Sequence, residues 1–230
     1  ERVEWSAMRM DPTDILDVTA AINTFLVNGH GREDNWTGLF RPGERVRLRF
    51  VNAASMTVFN VRIPGLKLTV VQADGENVRP VEVEEFQISP AETYDVIVQP
   101  TEDRAFTLVA EAADRSGMAR GTLAPRMGMS APVPPLRERP LLTMKDMGMG
   151  DMSGGHAGHD MGGAGAAPMD HSSMSMLDPA NAPQVKMGPG VQMISPMPVD
   201  RVGDPGVGLE NVGHRVLVYT DLVALKPNPD

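Results

Sequence analysis

The sequence predicts an all-β domain, an antiparallel sandwich or barrel, followed by a long segment that is not composed like a domain. Three observations carry this reading. Residues 20–125 contain seven or eight short apolar runs separated by turn residues. One of these runs alternates strictly between apolar and charged residues, the mark of a strand with one buried face. No long stretch of helical periodicity interrupts them, which excludes an α/β sheet.

The elements follow in order. Asp11 as N-cap with Pro12 behind it predicts a short helix over 12–18. Residues 24–28 form the first run and end at Gly29. Arg41-Pro42-Gly43 is a turn. Residues 45–51 follow, with Val46, Leu48 and Phe50 on one face and Arg45, Arg47 and Arg49 on the other. The run 58–63 stops at Pro64-Gly65. The run 66–71 leads to Asp74-Gly75, a strong turn dipeptide whose glycine supplies a positive φ. Residues 85–88, 94–98, 105–110 and the short 119–123 complete the set.

From about Pro125 the composition changes. Pro132, Pro134, Pro135 and Pro140 mark an extended stretch, and 141–143 reads as a short extended piece. Residues 144–210 are dominated by Gly, Pro, Met, Ser and Asp. They cannot bury enough apolar surface to offset chain entropy, so disorder is expected there without metal. Residues 215–219 restore a strand pattern, and Asn228-Pro229 reads as a linker. The expected division is a β domain over 1–126, a linker or insert over 127–210, and a strand with linker over 211–230. The opening without Met and the close at Lys226-Pro-Asn-Pro-Asp230 read as cuts through a longer polypeptide.

Composition narrows the functional classes. The chain is 41% hydrophobic but 4% aromatic, which predicts a core of Val, Leu and Ile. A formal charge of −9 repels nucleic acid and anionic membrane faces while tolerating cations. No apolar run approaches the ~20 residues that span a bilayer. Cysteine is absent, which rules out disulfides in this chain and is neutral about compartment.

The most distinctive stretch is 144–176. It holds eight of the 17 methionines and three of the five histidines, set among Gly, Ser and Asp where no core can form. Thioether sulfur is a soft ligand that favours Cu(I), and imidazole suits copper in either oxidation state. The candidate donors are Met144, Met147, Met149, Met152, His156, His159, Met161, Met169, His171, Met174 and Met176. Met187, Met193 and Met197 can add to them. The competing reading is a low-complexity spacer with incidental methionine.

Other residues have simpler readings. His30 and His214 are expected to be solvated loop histidines. Met8 and Met10, flanking Trp5, suit packing; Met56 suits a loop contact; Met127 and Met129 suit packing or a linker. Arg45, Arg47 and Arg49 are expected to pair with Glu82, Glu84 or Glu85, or to form a domain–domain contact. Asp74-Gly75 and Asp95 read as fold determinants. There is no Ser/His/Asp set, phosphate-binding loop or hydrolytic carboxylate pair, so no catalytic residue is assigned.

The β pattern also resembles a known family. Asn28-Gly29, Arg41-Pro-Gly43 running into Arg45–Arg49, Val51-Asn52-Ala53, Asp74-Gly75 with Pro80, and Tyr94-Asp95-Val96 resemble the middle cupredoxin domain of multicopper oxidases. Met169-Asp-His171-Ser-Ser-Met174-Ser-Met176 resembles the Met/His motif of the periplasmic copper-resistance branch. Met8-Arg-Met10-Asp-Pro-Thr-Asp14 and Gly121-Thr-Leu-Ala-Pro-Arg126 resemble its flanking signatures.

The resemblance implies a cupredoxin-like Greek-key β-sandwich that supports a copper oxidase. The first and third cupredoxin domains of the same polypeptide would be its partners and would hold the type 1 and trinuclear copper. It implies oxidation of Cu(I) or a phenol-like reductant coupled to reduction of O₂ in the intact protein. The family's copper ligands come as His-x-His pairs and a His-Cys-His motif, and this sequence has neither. Two alternatives stay open: a non-enzymatic copper-buffering protein with a degenerate cupredoxin domain, and a β-sandwich interaction domain whose insert is only a spacer. Coding sequence beyond Asp230 separates the first from the oxidase reading; Cu(I) titration separates the second.

Overall fold

The computed structural model describes residues 24–141, 183, 186, 188, 189 and 200–226. The helix expected over 12–18 lies outside the described residues. Among the described residues, nine strands form two sheets: β1 (Trp36–Leu39), β2 (Val46–Val51), β3 (Phe59–Arg62), β4 (Leu68–Ala73), β5 (Glu76–Val83), β6 (Glu85–Ile88), β7 (Thr93–Val98), β8 (Phe106–Ala112) and β9 (Met118–Ala124). One sheet runs β1-β9-β8-β3-β6 and the other β2-β7-β4-β5. All pairings are antiparallel except β1 with β9, which is parallel. This is the expected cupredoxin-like sandwich.

Two-residue turns set the register where they occur. Asp74 (φ +46°) and Gly75 (φ +86°) close the β4–β5 hairpin, and Asn28-Gly29 makes the same kind of turn between Val27 and His30. Two successive positive φ values match the right-handed twist of the flanking strands, which is why Asn-Gly and Asp-Gly occur there. The run 24–28 therefore contributes one bridge rather than a strand.

Inward residues of both sheets meet in one core. Val61, Ile63, Leu68, Val70, Val83, Val96, Val98, Leu108 and Leu123 fill it, as composition suggested. Aromatic side chains nevertheless sit at its centre. Phe86 lies 5.3 Å from Phe50 and 5.1 Å from Tyr94 between ring centroids, and Phe40 lies 6.1 Å from Phe106. Few aromatics suffice because each fills a large volume between two short-stranded sheets.

β5 ends at Val83 in one sheet and β6 begins at Glu85 in the other, so the chain changes sheet at Glu84. The edges of β5 and β6 are then covered by the C-terminal segment. Leu217 N donates to Glu85 O (2.9 Å) and Glu84 N to Arg215 O (2.8 Å). Arg79 N donates to Val223 O (2.8 Å) and Leu225 N to Asn77 O (2.7 Å). The strand expected over 215–219 is correspondingly brief. Val216 makes one parallel bridge to Glu85, and the chain turns through a 3-10 helix at Tyr219–Asp221 to reach β5. Covering these edges removes open templates for strand pairing.

The arginine stripe on β2 finds a partner other than those expected. β2 pairs with β7, with Arg49 directly opposite Asp95, and both Arg47 and Arg49 pair with the Asp95 carboxylate. Glu82 instead meets Lys67 at 2.7 Å, and Glu84 accepts from Arg215 N at 3.2 Å.

Candidate functional site

All eleven sequence-assigned copper donors, from Met144 to Met176, lie outside the described residues, as do Met187, Met193 and Met197. What the structure defines is where that segment is rooted. Strand alternation explains the arrangement. In the five-stranded sheet, Phe86, Ile88, Val61, Phe106 and Leu108 face the core. Their neighbours Glu85 and Gln87 on β6, Asn60 and Arg62 on β3, and Thr107, Val109 and Glu111 on β8 therefore face outward. The register aligns Glu85 with Arg62 and Val109, and Gln87 with Asn60 and Glu111. An outward face is normally wet, yet Glu85, Val109 and Glu111 are fully buried.

The cover includes the Pro-rich stretch 125–141. Thr107 Oγ1 donates to Pro132 O (2.9 Å). Farther along, Arg137 lies over both carboxylates. Its Nη2 and Nη1 donate to Glu85 at 2.6 and 3.1 Å, its Nε donates to Glu111 at 2.6 Å, and its backbone N donates to Glu111 at 2.9 Å. Charge-assisted, forked contacts of this kind are the strong end of protein hydrogen bonding.

Two further groups enter from other directions. Arg115, in the β8–β9 turn at φ +63°, places Nη1 3.3 Å from Glu111 and donates from Nη2 to Gly208 O at 3.0 Å. His214 Nε2 lies 2.6 Å from Glu85 Oε2. His214 is thus corrected from a solvated histidine to a member of a buried network, whereas His30 makes an exposed loop contact to Asp34 at 2.9 Å. Burial lowers the Arg115 pKa against the opposing pull of Glu111. Burial acts the same way on Arg137, but Glu85 and Glu111 outweigh it and the net shift is upward. Both guanidiniums stay charged across the physiological range.

Residues 5–126 match the family profile described as multicopper oxidase. The chain belongs to this family. Its whole length aligns with copper resistance protein A of Escherichia coli at 48% identity, covering 43% of that protein. The same holds for copper resistance protein A of Pseudomonas syringae pv. tomato, at 46% identity and 44% coverage of it. The chain therefore spans less than half the length of these curated relatives. Among solved structures, the laccase-like multicopper oxidase CueO of Ochrobactrum sp. is 28% identical with a TM-score of 0.39, over 56% of this chain and 30% of that one.

A blue-copper centre takes a Cys thiolate with two histidines, and this sequence has no cysteine. Among the described residues, no three His, Asp or Glu side chains converge as a metal site. His214 spends its Nε2 on Glu85. The described residues do not fit a blue-copper or trinuclear centre, so no redox step is derived through them. What they do is fasten the sandwich to the chain on either side of the Met/His segment. That role went unread in the sequence, although an Arg-Glu-Arg triplet at 137–139 inside a Pro-rich stretch was the available signal.

Proposed function

We propose that this chain is the central, structural cupredoxin-like domain of a copper-resistance multicopper oxidase, and that its Met/His segment gathers Cu(I). The observation that carries the reading is the coincidence of two facts. The whole chain aligns with copper resistance protein A at 48% identity, and the same chain concentrates eight methionines and three histidines at 144–176. Soft thioethers two to four residues apart suit a monovalent copper ion that imposes little geometry.

By role, 1–126 is the supporting domain, 127–210 carries the donors, and 211–230 leads toward a third cupredoxin domain. Other cupredoxin domains of the same polypeptide would supply the redox copper. There, electrons taken from cuprous ion, or from a phenol-like reductant, would reduce O₂ to water with protons from solvent. The setting proposed is the periplasm, with copper ions as the partner and neither nucleic acid nor membrane. No catalytic residue is assigned to this chain.

The test is anaerobic Cu(I) titration of the full chain against a chromophoric chelator. Binding tighter than micromolar is expected, and it should be lost when Met147, Met149, Met152, Met169, Met174 and Met176 are replaced by Ser. Affinity no better than micromolar in the unmodified chain would leave the segment as a spacer.

A further inference from the structure

The buried network joins two stretches that the Met/His segment separates in sequence. Arg137 lies just before that segment and His214 well after it. Both contact the same atom, Glu85 Oε2, at 3.1 and 2.6 Å. A second contact ties the same stretches more closely. Gly208 sits at φ +78°, and a Cβ there would come within 2.9 Å of Arg115 Nη2 and 3.0 Å of Pro140 Cβ. The chain is thus beside Arg115 and Pro140 on its way out and back beside them by Gly208.

We propose that Glu85, Glu111, Arg115, Arg137 and His214 form a clasp that fastens both roots of the Met/His segment to one spot on the sandwich. The two ends of the segment are then fixed at one place on the sandwich. Whatever path residues 142–201 take, covalent geometry caps the reach of their midpoint at about 100 Å, against about 200 Å for the end of an equal chain fastened at one root. A donor loop so fastened delivers metal within a bounded radius of one site, which deepens the Cu(I)-gathering reading and rests on it for that consequence. Because one carboxylate serves both roots, the roots are coupled: loosening either slackens the other. Arg137 and His214 are positioning residues, since a charged guanidinium is no metal donor and His214 Nε2 is engaged by Glu85.

Spin-label distances on the full, copper-free chain test this. The absence of cysteine leaves every introduced label unique. Exposed Glu138 and Glu210 report the two roots, each paired with a label at exposed Glu76 on the sandwich. Narrow distributions are expected in the parent. Arg137→Met should at least double the width for the Glu210 pair, and His214→Leu should do the same for the Glu138 pair. If each substitution broadens only its own root, or neither, the clasp is refuted.

Should Arg137→Met fail to fold, Arg137→Lys keeps the charge but loses the fork and should broaden both pairs less. A second construction replaces 142–201 by a short Gly-Ser linker. The Glu138–Glu210 separation and the fold should persist, and their loss would mean that the segment, not the clasp, holds the roots. Cu(I) capacity, read by chelator competition, should be unchanged in Arg137→Met. Failure of Cu(I) binding in the parent would sink the functional reading while leaving the copper-free distances to judge the clasp.

Discussion

Arg137→Met is the sharpest perturbation of stability that the structure offers. Methionine keeps the apolar stem and removes the guanidinium, so three side-chain hydrogen bonds to two fully buried carboxylates are lost. Removing one partner of a buried ion pair costs about 3–5 kcal/mol because it strands the other charge. The residual partners place this case at the lower end. Glu85 keeps His214, and Glu111 keeps Arg115 together with the backbone N of residue 137. A loss of about 3 kcal/mol is therefore expected, a large share of the 5–15 kcal/mol typical of a domain. With a urea m-value of roughly 1–3 kcal/mol/M, the midpoint at pH 7 should fall by roughly 1–3 M with m unchanged. Glu85→Gln in the Arg137→Met background should recover part of the loss, with a coupling of at least about 1 kcal/mol in the double-mutant cycle. A midpoint shift below about 0.5 M, or additive substitutions, would refute the stranded-charge argument.

Four other outcomes follow from particular sites. Burial first, then Glu92 and Asp74, push the Tyr94 pKa up to about 12. The fold holds a proton that an unfolded tyrosine releases near pH 10. This contribution is complete below pH 10 and is lost as pH rises toward 12, so alkaline melts should show a loss of stability that Tyr94→Phe removes. Gly208→Ala forces a side chain into a left-handed position against Pro140 and should cost about 1–3 kcal/mol in thermal melts. Asp95→Asn leaves Arg47 and Arg49 without their carboxylate and should cost about 1–2 kcal/mol by urea melt. Lys67→Met, which breaks a fully exposed pair with Glu82, should leave the same melt unmoved.

The sandwich was legible because its strands are short, alternating and punctuated. β6 is the run 85–88 residue for residue, and β2, β3, β4, β7, β8 and β9 fall within two residues of expectation at most ends. β1 and β5 escaped notice for different reasons. Trp36–Leu39 has four residues, one of them Gly, and shows no alternation; it is a strand because β9 lies beside it. Glu76–Val83 carries Pro80 and several charges, which suit a sheet edge but mask a strand pattern. The buried network was illegible because its contacts are 26, 52 and 129 residues apart in sequence. Glu85 was read only as a partner for the β2 arginines, and nothing local shows that a glutamate facing away from Phe86 and Ile88 will be covered. The Met/His segment stands out by composition alone, and its proposed role rests on donor chemistry rather than on fold.

The cover over that outer face explains why the ions are there. A strand is the usual way to add a layer of chain at a sheet, yet Pro132, Pro134, Pro135 and Pro140 lack the N–H groups a ladder needs. The stretch must therefore be held by side chains, and apolar contacts alone would let it slide along the sheet. Thr107 on Pro132 O and Glu85 with Glu111 on Arg137 fix it at two separated points. A forked guanidinium between two carboxylates fits in one position, whereas a leucine would fit in several. Buried ions are a poor source of net stability, but here they set the register of the stretch that ends at Leu141. The return stretch meets the same carboxylate through His214, so exit and re-entry are fixed by one group.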